Sequence, residues 1–293
     1  MHTSLACPSL SQTLRRLRGG SQPILAVADD QQQYVVKFHN NPQGRNVLWN
    51  EAAGSLLYRA LGLPTPEWKP LRVTSAFLLA HRNCWLETPT GVRCPAEGLC
   101  FGSLYQAGKG KLLEVLPSVL LSRISKPESF WLAWVIDACA HHTDNRQAIF
   151  LATDDSASLT AVFIDHGNLF AGACGAEKSS FLASGYLDRR VYQLGSARLP
   201  DRITRCIQTL DSDSLWRKAQ ALPAEWKSAS ATSAFSACLN RLADSEHVRN
   251  LLDGMLEAAY GLSSMNSSLR PFCRKPPLSV HHAPSAARRL LQA

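Results

Sequence analysis

Two aspartates, Asp144 and Asp165, stand twenty-one residues apart at the ends of a stretch that reads as a β-hairpin. The first strand is the run Ile149 to Ala152 and the second is Leu159 to Ile164, which ends on Asp165-His166-Gly167-Asn168. Kinase-type phosphoryl transfer uses two carboxylates in this way: one orients the attacking hydroxyl and takes its proton, the other holds Mg²⁺. Asp144 is in position for the first role and Asp165 for the second. A helix has to deliver the first of them. Phe130, Trp131, Trp134, Val135, Ala138 and Cys139 recur at helical spacing and predict one apolar face. Ser125 and Glu128, three apart, form a capping-box pattern ahead of that helix, with Pro127 in its first turn.

A site of this kind also needs a cation over the phosphates and a carboxylate to aim it. Ile24 to Val27 and Tyr34 to Phe38 read as two strands of a hairpin that follows Gly19-Gly20 and carries Lys37 near its end. Gly19 and Gly20 would then be the phosphate-covering turn and Lys37 the phosphate-binding cation. Read singly, each has a plainer role, a turn and a solvated strand lysine. Arg45 to Leu61 reads as a helix stopped by Gly62 and Pro64, with Glu51 in its second turn. A single helix glutamate is ordinarily solvated, but here lysine, glutamate and both aspartates come in the order the chemistry requires.

The rest of the chain divides around these residues. Runs such as Val73 to Leu79 and Cys84 to Glu87 read as further strands of a small N-terminal sheet. The segment Phe101 to Tyr105 has no role that its residues alone assign, and Leu112 to Ser122 reads as a short helix. Ala171 to Gly185 reads as a mobile loop. Arg202 to Leu210, Ser214 to Leu222, Ala224 to Leu242 and Ser245 to Tyr260 read as helices, the last closed by Gly261. The predicted class is α+β in two lobes. An extension covers 1–13, a mainly β lobe with one long helix covers 14–110, a helical lobe with the catalytic hairpin covers 111–264, and a tail covers 265–293.

Bulk properties exclude several alternatives. The longest apolar run, Phe130 to Ile136, is too short to span a bilayer, and the first residues lack the apolar core of a signal peptide. No membrane association is expected. Nine scattered cysteines without a CxxC pair point to reduced thiols in a cytoplasm. Of the net charge of +8, five charges come from Arg270, Arg274, Lys275, Arg288 and Arg289 in an acid-free, proline-rich tail. That composition reads as a solvated disordered segment, and nucleic-acid contact is expected only through it. No GxSxG elbow is present, and His141-His142 are adjacent residues whose side chains point apart, so neither hydrolase nor metal-pair chemistry is favoured.

Taken together, the runs RGGSQPILAV, YVVKFHNNPQGRNVLWNEAAGSLLYRALGLPTPE, FGSLY, HHTDNRQAIF and FIDHGNLF resemble a HipA-like kinase domain, over roughly Leu14 to Leu262. The resemblance implies a two-lobed protein-kinase-like fold, use of ATP with Mg²⁺, and phosphorylation of protein serine or threonine. Lys37 then resembles the ATP lysine, Glu51 its helix partner, Asp144 the catalytic-loop aspartate and Asp165 the metal-binding aspartate of a DFG-type turn, with His166 for Phe. A protein substrate and an antitoxin-like regulator are the implied partners. One position departs from the pattern. Kinase-like catalytic loops carry a metal-binding asparagine five residues after the aspartate, and Ile149 stands there. Asn145 and Asn168 are nearby amides, and Arg146 and Gln147 are placed to reshape the loop. Three functions therefore stay open: phosphoryl transfer, nucleotide binding without transfer, and a nucleic-acid-associated role through the basic tail, with nucleotidyl transfer as a further variant.

Overall fold

Runs rich in β-branched and other apolar residues, Ile24 to Ala28 and Tyr34 to Val36, set the first strands. The computed structural model describes residues 7–106, 111–113, 116–152, 158–173, 184–194 and 199–265. Within it, β1 (Leu10–Arg16), β2 (Ile24–Ala28) and β3 (Gln33–Lys37) form an antiparallel meander. The sheet thus begins at Leu10, which pairs with Ala28, inside the stretch expected to be an extension. Then come α1 (Val47–Ala60), β4 (Trp68–Val73), α2 (Ser75–Ala80), the small hairpin β5 (Leu86–Thr88) and β6 (Gly91–Arg93), and β7 (Gly98–Leu104). Phe101 to Leu104 of the unassigned FGSLY segment lie in β7, which inserts between β3 and β4 to give the order β1-β2-β3-β7-β4.

The expected strand Val73 to Leu79 turns helical after one residue. Thr74 is the reason: its hydroxyl accepts the Phe77 N–H at 3.1 Å and starts α2, a local cap that overrides the strand pattern. The helix expected over Leu112 to Ser122 is also replaced. Leu112 and Leu113 belong to β8 (Lys111–Leu113), and a 3₁₀ turn follows at Ser118–Arg123.

α3 (Glu128–Cys139) forms without its expected capping box. Ser125 donates its N–H to the Leu159 carbonyl at 2.9 Å, so it is held beside the hairpin and Pro127 takes the cap position. The helix is buried on every side rather than on one face, because the hairpin packs on one flank and helices on the other. β9 (Gln147–Ala152) and β10 (Leu159–Ile164) pair in register from Gln147–Ile164 to Ala152–Leu159. The chain continues with α4 (Leu199–Gln208), α5 (Ser212–Gln220), α6 (Ala229–Ala243) and α7 (Ser245–Met265). The run from Ala224 breaks at Ser228, whose hydroxyl accepts the Ala231 N–H and caps α6. α7 runs through Gly261, which therefore does not close it. The tail beyond Met265 and most of the expected loop between Ala171 and Gly185 lie outside the described residues.

Two cores result. A smaller one lies on one face of the N-terminal sheet, under α2; a larger one joins α1, α3 and the C-terminal helices. α1 sits with the larger core: Trp49 packs edge-on against Phe170 and Phe235, at centroid distances of 5.9 and 5.4 Å. The helix that carries Glu51 is thereby fixed to the second lobe. Among the described residues, no helix is long and apolar enough to cross a membrane.

Candidate active site

Lys37 ends β3 with its ammonium buried between two carboxylates. Nζ pairs with Glu51 Oε1 and lies 2.7 Å from Asp165 Oδ1. Burial alone would lower the Lys37 pKa, but Asp165 and Glu51 outweigh it and hold the ammonium above the ordinary lysine range. Burial would likewise raise the Asp165 pKa, yet the Lys37 charge keeps this carboxyl well below the ordinary carboxylate range. Burial also pushes Glu51 upward. Three donors nevertheless converge on Glu51: Lys37 Nζ, the His166 N–H at 3.0 Å and the Gly167 N–H at 2.9 Å. These donors favour its charged form and oppose the effect of burial. Glu51 therefore aims the lysine and also holds the turn after Asp165. One helical turn away on α1 no side chain could intrude: a Cβ on Gly54 would lie 2.6 Å from His166 Cβ. Asn50 completes the clamp by donating to the carbonyls of Gly167 and Leu169, at 2.9 and 2.7 Å.

A second buried network, not expected from the sequence, fixes Asp165 from below. Asp137 on α3 accepts two bonds from Arg146, from Nε at 2.9 Å and Nη2 at 2.6 Å, and one from the Tyr58 hydroxyl at 2.7 Å. Arg146 Nη1 reaches the carbonyls of Ile164 and Asp165 at 3.0 and 3.2 Å and His166 Nδ1 at 3.2 Å. Asp165 itself has φ of 60°, a left-handed conformation that a non-glycine residue keeps only when its surroundings enforce it. Arg146 supplies that enforcement. The sequence signals for this network were slight: an acid, Asp137, in the apolar body of α3, and Arg146 in the loop it was expected to reshape.

Asp144 lies on the adjacent turn. It is exposed, and its Oδ1 accepts the Asn145 N–H at 2.7 Å. The turn is tied to the segment after Asp165 through Thr143 N–H to the Asn168 carbonyl at 3.1 Å. Lys37, Glu51 and Asp165 are thus brought together, while Asp144 lies on the turn tied to the segment after Asp165. Gly19 and Gly20 lie in the connection between β1 and β2, where Gly19 has φ of 135° and a Cβ on Gly20 would meet Gln43 Nε2 at 2.8 Å. No hydrogen bond joins Asn145 or Asn168 to Asp165. Gln147 does reach it, Nε2 donating to Oδ2 at 3.0 Å.

Asp165 Oδ1 accepts from Lys37 Nζ and Oδ2 from the Gln147 amide, so a cation at this carboxylate would share its oxygens with these donors or displace them. Among the described residues there is no group of three or more His, Cys, Asp or Glu able to enclose a metal. A single, partly exposed carboxylate fits an ion such as Mg²⁺, which keeps waters and shares its coordination with phosphates, better than an ion caged by protein alone.

No protein-family profile matches the chain, and no curated protein matches it in sequence. Solved structures do match. The Helicobacter pylori proinflammatory kinase CtkA is 12% identical with a TM-score of 0.54, over 83% of this chain and 96% of that one. Hydra Fam20, whose structure was determined with sugar, is 11% identical with a TM-score of 0.52, over 90% and 89%. At these identities the likeness concerns the fold. An antiparallel N-terminal sheet on a helical second lobe, aligned with kinase structures across most of their length, makes this an α+β chain with a kinase-like fold.

Proposed function

We propose that this protein is an ATP- and Mg²⁺-dependent kinase of the HipA-like type that phosphorylates serine or threonine on a protein. The single observation that carries the proposal is the Lys37–Glu51–Asp165 cluster, in which residues distant in sequence meet in one buried charge array. Lys37 would bind the ATP phosphates, kept in place by Glu51, with the Gly19-Gly20 turn covering them. Asp165 would hold Mg²⁺, which when bound neutralises charge on the phosphates. Asp144, exposed on the turn, is free to accept the proton of an incoming hydroxyl and orient it. Burial of Lys37, Glu51 and the Asp165 turn gives these charges a low-dielectric setting, where they act more strongly than in water. The free cysteines fit a reduced, cytoplasmic location, and an antitoxin-like protein is the proposed regulator.

A second proposal, nucleotide binding without transfer, rests on Ile149, an apolar residue in β9 paired with Val162, which cannot bind a metal. Calorimetric titration of Mg·ATP into the Asp165→Ala and Asp144→Ala variants tests the division of roles. Asp165→Ala should lose Mg²⁺-dependent binding while Asp144→Ala keeps it, and equal loss in both would refute the assignment.

A further inference from the structure

The position where the kinase pattern places its second metal-binding side chain holds Ile149, yet the strand that carries Ile149 offers another. Successive side chains in β9 alternate between faces, so Gln147 and Ile149 share one face, two residues apart. Gln147 is the nearer of the two to Asp165. It pairs in register with Ile164, the residue just before Asp165, and its amide touches Asp165 Oδ2 at 3.0 Å. Its orientation follows from its neighbour. Arg146 points into the protein and is held there by Asp137 and by the carbonyls of Ile164 and Asp165. With Arg146 locked inward, Gln147 is turned outward, and it is exposed.

We propose that Gln147, rather than a residue five positions after Asp144, is the second protein ligand of the divalent cation, through its side-chain carbonyl oxygen. The proposal rests on the reading of Asp165 as the metal-binding carboxylate. A glutamine amide carries a donor and an acceptor at nearly interchangeable positions. The NH₂ end meets the Asp165 carboxylate; rotation of the terminal torsion would present the oxygen, a hard ligand of the kind Mg²⁺ and Mn²⁺ take. No covalent bond is made or broken: the hydrogen bond to Asp165 is exchanged for a metal–oxygen contact. The amide turns its negative end to the ion where it had turned its positive end to the carboxylate. Under this assignment Ile149 is not evidence of lost catalysis, because the ligand has moved two residues along the same face.

The test is Mn²⁺ binding in the presence of ADP, read from the electron paramagnetic resonance signal of free Mn²⁺, for the full chain and for Gln147→Ala, Gln147→Glu and Asp165→Ala. Gln147 is exposed, so its variants are expected to fold, which thermal melts without metal will show. Gln147→Ala should weaken Mn²⁺ binding by about tenfold or more, and Gln147→Glu should bind at least as tightly as the native chain. If Gln147 only donated a hydrogen bond to Asp165, the glutamate, which lacks that donor, would bind no better than alanine; that result would overturn the proposal. Native affinity in Gln147→Ala, with binding lost in Asp165→Ala, would overturn the ligand assignment alone. Native affinity in Asp165→Ala would overturn the reading of the site and this proposal with it.

Discussion

Asp137 and Arg146, nine residues apart, form a buried two-bond ion pair at 2.6 and 2.9 Å beneath the turn that carries Asp165. Both side chains are almost wholly buried, and the guanidinium's remaining donors go to the carbonyls of Ile164 and Asp165 and to His166. The pair is thus the anchor of the backbone that presents the proposed metal ligand.

Removing one partner of such a pair strands the other charge. Asp137→Ala should cost about 3–5 kcal/mol, lowering the melting midpoint on the order of 10 °C for a chain of this size. Differential scanning calorimetry checks this. A midpoint within a degree or two of the native value would mean that the pair does not anchor the turn.

Gly54→Ala tests the contact between α1 and the Asp165 turn. On helix propensity alone the change should stabilise by about 1 kcal/mol. The added Cβ, however, would lie 2.6 Å from both His166 Cβ and Leu169 Cδ1, and forced overpacking costs about 1–3 kcal/mol. The expected outcome is a lower urea midpoint together with weaker Mg·ATP binding, since α1 carries Glu51. A raised midpoint would contradict the close approach of α1 to the turn.

His142 should make the protein sensitive to acid. It is buried in the turn that follows α3, with neither ring nitrogen hydrogen-bonded, and Nδ1 lies 3.7 Å from Asp137 Oδ2. Burial first, then the Arg146 charge, lowers its pKa to about 4 against the pull of Asp137, Asp165 and Asp144. A histidine whose folded pKa lies below its unfolded value of about 6.5 stays neutral in the fold while the unfolded chain takes up the proton. Its contribution is therefore intact above about pH 6.5 and is lost as pH falls toward 4, up to about 3 kcal/mol. Melts across that range should give a flatter pH dependence for His142→Leu than for the native chain. Parallel curves would exclude His142 as the group responsible.

Much of this site was legible in the sequence because its main residues sit at the ends of regular elements. Lys37 closes a strand, Glu51 follows a helix start, and Asp165 follows a strand, so order and period placed all three. The Arg146 network was not legible, since it joins a helix acid, a helix tyrosine and a turn arginine through tertiary packing that no local spacing encodes. Local competition explains the missed elements: the Thr74 cap converted a strand pattern into α2, and the bond from Ser125 to Leu159 withdrew that serine from a capping box. At Ile149 the sequence showed a missing ligand, and only the register of β9 against β10 brought Gln147 to Asp165.

The proposed activity is transfer of the terminal phosphoryl group of ATP to a protein hydroxyl. The most direct measurement incubates the native chain and Asp144→Asn with γ-labelled or α-labelled ATP, in Mg²⁺ or Mn²⁺, with a peptide library containing serine and threonine. The prediction is γ-label on serine or threonine of the library or of the chain itself, no α-label, and a rate at least about a hundredfold lower in Asp144→Asn. Protein-bound α-label, γ-transfer undiminished in Asp144→Asn, or no transfer from a native chain that binds Mg·ATP would each contradict it.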